Sequence, residues 1–233
     1  EAGFDLVPPP DVRGKRVLLK PNLVDLPRDG RPVTTNPAII IAAAEAFRRR
    51  GAAVVLIADG PALQRDAWQI VDAIGLTGLL AEHGLDFIDL NHADVRSVPN
   101  AGGHTELTHL YCTRPVLEAD VIVSMPKMKV HHWAGVTLSM KNMFGTLPGH
   151  VYGWPRNIFH LADLNRAVLD FNLTTPPDYA IVDGIVGLEG DGPIRGTAVD
   201  VGVIVVGTNA PAVDATATRI MGLRPESIDY LRR

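Results

Sequence analysis

The stretch RVLLKPNLV, residues 16–24, runs from an aliphatic segment straight into a polar turn. Its first part, RVLLK (16–20), does not alternate with polar residues, which is the pattern of a strand covered on both faces of a parallel sheet. The same design recurs in AVVLIAD (53–59), DFIDL (86–90), DVIVSM (120–125), YAIVD (179–183) and VGVIVVG (201–207). Between the first two runs lies NPAIIIAAAEAFRRRG (36–51). There Asn36 suits an N-cap, Pro37 the first helical position and Gly51 the stop. Further helices are expected over 66–83, broken near Gly75 and Gly78, over 157–171, and from Ala210 to Gly222. In the second of these, Leu161, Leu164, Val168 and Phe171 share one stripe. Strands alternating with helices predict an α/β fold: a doubly wound, largely parallel open sheet with helices on both faces, in one domain over 1–233. The segment 95–113 alternates weakly around Gly102-Gly103 and reads as a hairpin or strand extension. The Gly/Pro-rich region 126–154 is expected to be an active loop.

The chain has 233 residues, 46% hydrophobic and 21% charged, enough for one sizeable core. A formal charge of −4 leaves no basic footprint for nucleic acid. No apolar run reaches the roughly 18–20 residues of a membrane-spanning helix. Cys112 stands alone, so the chain holds neither an internal disulfide nor, by itself, an iron–sulfur cluster. The numbering opens at Glu1 without Met, so a leader is compatible with it. The sequence does not fix the compartment: the cytoplasm is slightly favoured, with export open.

In open α/β sheets, ligands bind outside the carboxyl ends of the strands. The expected strands here end in Lys20-Pro21-Asn22, Asp59-Gly60, Ser124-Met125-Pro126-Lys127, Asp183-Gly184 and Thr208-Asn209. Turn preferences explain many of these residues, but not the lysines. Of 22 basic residues 17 are Arg and five are Lys, and four of those five (Lys20, Lys127, Lys129 and Lys141) fall at strand ends or in the loop candidate. Lys supplies a compact ammonium whose pKa responds to its surroundings. Several together, with Asn22, Ser139 and Asn142 beside them, suit a carboxylate or phosphate ligand. The alternative is that Lys127 and Lys129 merely extend along the rim.

The string KVHHWAGVTLSMKNMFG (129–145) adds His131 and His132, which point apart in an extended chain, so one is expected to face the site. A short helical piece would set Thr137 beside Lys141 and Ser139 beside Asn142. His160, one helical turn from Asp163, reads as a metal or proton-transfer pair or as a surface contact. DGIVGLEGDGP (183–193) places Asp183, Glu189 and Asp191 on a Gly-rich loop suited to a divalent cation, of open identity, or to a solvated turn. The GxxxxGK, GxGxxG and GxSxG fingerprints are absent.

LLKPNLV (18–24), PKMKVHHWAGVTLSMKNMFG (126–145), DGIVGLEGDGP (183–193) and PAVDATATRIMG (211–222) together resemble the signature blocks of domain-of-unknown-function family 362, in the family's order. The resemblance implies a bacterial or archaeal protein of unsettled biochemical role. Relatives often carry ferredoxin-type cysteines for four-iron four-sulfur clusters. This chain departs from that, so a redox role implies a further segment or a ferredoxin-type partner. It also has Val130 where relatives often have Thr and Asn209 where they often have Asp. A fainter similarity links HHWAGVTLSMKNMFGTLPG (131–149) to nickel-dependent lactate racemases, in which a His, an Ala-Gly pair, a Lys and a Pro-Gly recur.

The expected function is an enzyme acting on a small carboxylated or phosphorylated compound. Lys20, Asn22, Lys127, Lys129, Ser139 and Asn142 would hold the ligand. His131 or His132, with Lys141, would be catalytic. Asp183, Glu189 and Asp191, with His160, would bind the metal. The reaction is open between a redox-linked conversion and a metal-assisted racemisation or isomerisation. The rival from another class is a non-catalytic ligand-binding or docking subunit of a redox complex, which would show scattered lysines and a large apolar patch. Replacing Lys127 or Lys141 by Ala is expected to spare stability, as surface charges do.

Overall fold

Each apolar run becomes a strand, and the two faces of those strands enter two separate cores. The computed structural model describes residues 2–27, 29–61, 66–154, 156–161 and 163–233. The strands are β1 (Arg16–Pro21), β2 (Val54–Asp59), β3 (Asp86–Asp89), β4 (Val95–Pro99), β5 (His109–Thr113), β6 (Val121–Met125), β7 (Lys127–His131), β8 (Gly135–Thr137), β9 (Tyr179–Glu189) and β10 (Thr197–Gly207). Eight form one sheet in the order β3-β2-β1-β6-β9-β7-β8, with β10 paired to β9, while β4 and β5 make a separate antiparallel hairpin. The contacts among β3, β2, β1, β6 and β9 are all parallel.

Val17 and Leu19 of β1 pack with Val55, Ile57, Val121 and Val123 on one face. Leu18 packs with Ala58, Ile122 and Val182 on the other. Helices Pro37–Arg49, Ala67–Ala73 and Leu76–His83 cover the first face. Helices Leu164–Thr174 and Ala210–Ile220 cover the second. This is an α/β fold with a mostly parallel, mixed sheet. Burial on both faces is why β1, β2, β6 and the first half of β9 read as unbroken apolar runs, each buried Leu or Ile contributing ~1.5–3 kcal/mol, whereas β10, expected to be buried, is largely part-exposed with Ile204 on the surface.

Local signals set the helix ends. The Asn36 side chain accepts from the Ala38 N–H at 2.9 Å and opens the helix that Pro37 begins. The break in 66–83 falls at Gly75, at φ 73°, whereas Gly78 lies within the second helix. The expected helix over 157–171 is two helices, Asn157–Leu161 and Leu164–Thr174. Asp163, at φ 79°, accepts from the Asn165 and Arg166 N–H groups and starts the second. His160 and Asp163 are therefore not a pair on one helix.

Three expectations about the sheet are corrected. β10 runs antiparallel to β9, because the connection over 190–196 is too short for a crossover, which needs about a dozen residues. β9 does not stop at Asp183 but runs through Gly184 and Gly187 to Glu189, so most of DGIVGLEGDGP is strand. The region 126–154 is an ordered run of strands and helical turns, largely buried.

The topology creates the crevice. From β1 the chain winds outward to β2 and β3, then returns to the other flank of β1 to form β6. Adjacent strands with connections leaving in opposite directions open a gap at their carboxyl ends. Here β6 is extended by β7 after Pro126, and both pair with β9 on one edge. On the other edge β6 meets β1 and β7 meets β8. The space between the end of β1 and the β7–β8 hairpin is where the candidate site lies.

Candidate functional site

A cleft of about 180 Å³ opens there, lined by Lys20 of β1 and Asn22–Val24 after it, Asp59 at the end of β2 and Gly60-Pro61 after it, and Lys129 and His131–Trp133 from β7 and its turn. Thr137, Lys141, Asn142, Phe144, Gly145, Arg156, His160 and Pro193 complete the wall. Three of the four lysines singled out above line it. Lys127 does not.

Lys20 is the floor. Its ammonium meets Asp59 Oδ1 at 2.6 Å and also donates to the Pro21 carbonyl at 2.7 Å and to Asn142 Oδ1 at 2.9 Å. Burial pulls its pKa down and Asp59 pulls it back up. Asn142 returns two bonds, to the Lys20 carbonyl at 2.9 Å and Ser124 Oγ at 3.0 Å, so its amide is wholly engaged. Asp59 accepts from the Leu23 and Gly60 N–H groups as well. Gly145 makes this arrangement fit: a Cβ there would lie 2.3 Å from Asp59 Oδ1 and 2.8 Å from Lys20 Nζ.

Lys129, 1% exposed, donates to the Val33 carbonyl at 2.7 Å and has no carboxylate paired to it among the described residues. Burial, then Lys141, hold its pKa well below the ordinary value. Lys141 makes no hydrogen bond among the described residues. Its Nζ sits 4.1 Å from the centre of the Phe144 ring. Burial, then Arg156 and Lys20, bring its pKa down to about 7.

Arg156 is fully buried, at φ 64°, and its guanidinium bonds to the Leu147, Gly60 and Pro61 carbonyls and to Asn91 Oδ1. Burial lowers its pKa to about 10. Among the described lining residues, four carry cationic groups (Lys20, Lys129, Lys141 and Arg156) and one, Asp59, is a carboxylate. Uncompensated buried charge of one sign costs several kcal/mol per ion, which a multivalent anion would offset.

The histidines have distinct tautomers. His131 Nδ1 lies 3.1 Å from the Trp133 N–H and 3.3 Å from the Ala134 N–H. It accepts from both, so the ring proton is on Nε2 and the ring is a donor. Burial and then Lys141 push its pKa down to about 2, which keeps it neutral. His132 Nδ1 donates to the Gly192 carbonyl at 2.9 Å and His160 Nδ1 to the Arg156 carbonyl at 3.2 Å. Both therefore have an Nε2 lone pair. Burial lowers the His160 pKa. The two adjacent histidines do not point apart as expected. β7 ends at His131, the chain turns, and the rings stack 5.0 Å apart, both lining the cleft. Trp133, 58% exposed, stands edge-on to His132 and His160 at its mouth.

The remaining expected site residues lie elsewhere. Lys127 is buried and paired with Asp183 at 2.9 Å, and Asp183 also accepts from the Asn36 N–H. Lys127, Asp183 and Lys141 are all buried, so neither Lys127→Ala nor Lys141→Ala removes a surface charge as expected. Ser139 is buried away from the cleft, and Thr137 ends β8 instead of sharing a helix with Lys141. Glu189 is exposed at the far end of β9, about 20 Å beyond Asp183 at ~3.3 Å per residue, and Asp191 is exposed in the turn. Among the described residues no group of three or more His, Cys, Asp or Glu converges as a metal ion requires. His131 has no free lone pair to offer one. The expected set of Asp183, Glu189, Asp191 and His160 does not fit a divalent ion.

Sequence reasoning missed Arg156, Asp214 and the weight of Asp59. Asp59-Gly60 reads as an ordinary turn, and one Arg among 17 carries no local mark. Asp214 did leave a signal, a carboxylate on the buried stripe of helix Ala210–Ile220. Its two oxygens accept from the Ser139 and Met140 N–H groups at 2.7 and 2.9 Å, capping the turn that carries Lys141. Burial pushes its pKa up to about 7, against those two donors.

Comparison with known proteins agrees with this architecture. The family model described as "Domain of unknown function (DUF362)" matches residues 17–219. A thylakoid-associated protein of Synechocystis sp. is 31% identical over 221 residues, covering 92% of this chain and 65% of that protein. Among solved structures, the lactate racemase apoprotein from Thermoanaerobacterium thermosaccharolyticum matches with a TM-score of 0.55 at 14% identity. That match covers 88% of this chain and 48% of the racemase, and it is a likeness of fold. The chain thus spans less than two thirds of the length of either protein.

Proposed function

The chain belongs to domain-of-unknown-function family 362, and from that premise we propose that it is an enzyme whose cleft binds a small carboxylated or phosphorylated compound. The observation that carries this reading is the set of four cationic side chains facing one carboxylate, with Lys141 Nζ free of hydrogen bonds among the described residues. Lys129 and the Lys20–Asn142 floor would hold the anion. His131 would donate from Nε2, while His132 and His160 would accept.

An amine that titrates near neutrality is suited to general acid–base work, and a cation-lined wall stabilises an enolate-like anion. Proton transfer next to a carbonyl, an isomerisation, is therefore the proposed reaction class. A rigid, ion-paired floor under a concave cleft favours this over a docking subunit with scattered lysines. Any redox link is proposed to come from a ferredoxin-type partner or further segment, since Cys112 is buried and its thiol is pushed up to about 11 by that burial.

Calorimetric titration of the purified chain with oxalate, malonate, phosphate and pyrophosphate tests the reading. At least one dianion should bind, and Lys129→Met should weaken it by tenfold or more, about 1.5 kcal/mol or above for a charged hydrogen bond. Equal, weak responses to all four anions and chloride, unchanged in Lys129→Met, would refute it.

A further inference from the structure

We propose that Lys141 forms a Schiff base with the ligand, so that the compound taken by the cleft is an anionic carbonyl compound of the 2-oxo acid or phosphorylated aldehyde or ketone class. This rests on the anion-binding reading above and names the substrate class of the same site.

The four inner lysines differ in what their nitrogens do. Lys20 directs three bonds at Asp59, Pro21 and Asn142. Lys127 is held by Asp183, and Lys129 donates to the Val33 carbonyl. Lys141 alone of the four has neither a carboxylate nor a hydrogen-bonded carbonyl among the described residues, and it packs on the Phe144 ring. Its turn is clamped at the base by Asp214. The amine is thus fixed in position and chemically unspent.

A lysine attacks a carbonyl only as the neutral amine, which burial and neighbouring cations favour. Both are present here, since Arg156 and Lys20 act on Lys141 through a wall that also includes Leu23, Val24 and Pro61. In the first step the Nζ lone pair bonds to the carbonyl carbon, and the oxygen, hydrogen-bonded by the His131 Nε2–H, takes up a proton from solvent while the His131 ring stays neutral. The nitrogen loses a proton to Nε2 of His132 or His160. That imidazolium then protonates the hydroxyl, the C–O bond breaks, water leaves, and the nitrogen lone pair closes the C=N bond. Amine, carbonyl compound and one proton give iminium and water, with no change of oxidation state. The iminium withdraws electrons from the adjacent C–H, which is the bond an isomerase must ionise.

The test is reductive trapping on the full chain. The protein is incubated near neutral pH with pyruvate, glyoxylate or glyceraldehyde 3-phosphate and sodium cyanoborohydride, then digested and mapped by mass spectrometry. The expected result is one carbonyl-dependent adduct at Lys141, suppressed by oxalate, which binds as a dianion but does not condense. Lys129→Met should need roughly tenfold more carbonyl compound for half-labelling while keeping the same labelled residue. The map is read on the parent protein, so it does not depend on Lys141 variants folding. Adducts only at Lys15, outside the cleft, or spread over several lysines and insensitive to oxalate, would overturn the proposal. No adduct together with measurable binding of oxalate, malonate, phosphate or pyrophosphate would overturn the Schiff base and leave the anion site standing. No adduct and no binding of any of the four would overturn both.

Discussion

Lys141→Met should stabilise the protein, and the gain should depend on pH. The ordinary lysine value of 10.5 falls to about 7 in the folded chain. At ~1.36 kcal/mol per unit, holding this ammonium in the cleft costs up to about 5 kcal/mol when it is fully protonated in both states. The folded pKa lies below the unfolded one, so between pH 7 and 10.5 the unfolded chain binds a proton that the folded chain does not. In that window the slope of stability with pH is positive, and the penalty shrinks as pH rises. Methionine keeps the length of the side chain and its packing on Phe144 while removing the charge. Part of the relief is shared with Lys20, Lys129 and Arg156, which repel the same amine, so a gain of ~2–4 kcal/mol at pH 6 is expected. For a chain of this size that is an increase of about 5–10 °C in melting temperature. At pH 9.5 the gap should fall below about half of that. Thermal and urea unfolding of both proteins across pH 6–9.5 measures it. An equal gap at both ends, or a variant less stable than the parent at pH 6, would show that the amine is not held in an unfavourable charged state.

Other consequences are equally concrete. Lys127→Ala leaves Asp183 buried without its cation and should cost ~3–5 kcal/mol in urea unfolding; under 1 kcal/mol would mean water replaces the lysine. Gly145→Ala drives a methyl group against Asp59 and Lys20, so a loss of ~1–3 kcal/mol with weaker oxalate binding is expected, and unchanged binding would show that the floor yields without consequence. Glu189→Gln combined with Asp191→Asn touches only exposed carboxylates, so stability should stay within about 0.5 kcal/mol per site. The thermal response of that double variant to magnesium, manganese, zinc and nickel should match the parent. A shift present only in the parent would reinstate those carboxylates as metal ligands.

Much of the framework was legible because its causes are local. A strand buried on both faces has no polar alternation to show, and a cap such as Asn36 acts two residues away. The unequal use of Lys and Arg marked chemistry for a related reason: an amine in an enclosed site has properties that a guanidinium lacks. Gly184 and Gly187 misled because glycines in a strand look the same as glycines in a turn. Their role is close approach, since a Cβ at Gly184 would meet the Met128 methyl at 2.8 Å and one at Gly187 the Met128 carbonyl at 3.2 Å. That contact exists only once β7 lies against β9.

The sequence by itself determined the α/β class, the strand-end location of the polar residues and the short set of lysines and histidines worth testing. Only the tertiary structure decided which of them share a cavity. Lys127 and Lys129 are two residues apart on one strand, yet one is neutralised by Asp183 and the other donates to the Val33 carbonyl, with no carboxylate paired to it among the described residues. Lys20 finds its partner 39 positions away at Asp59, and Arg156 closes the wall from far along the chain. Charge compensation depends on distance in space and on exclusion of water, and neither is written in the spacing of residues along a chain.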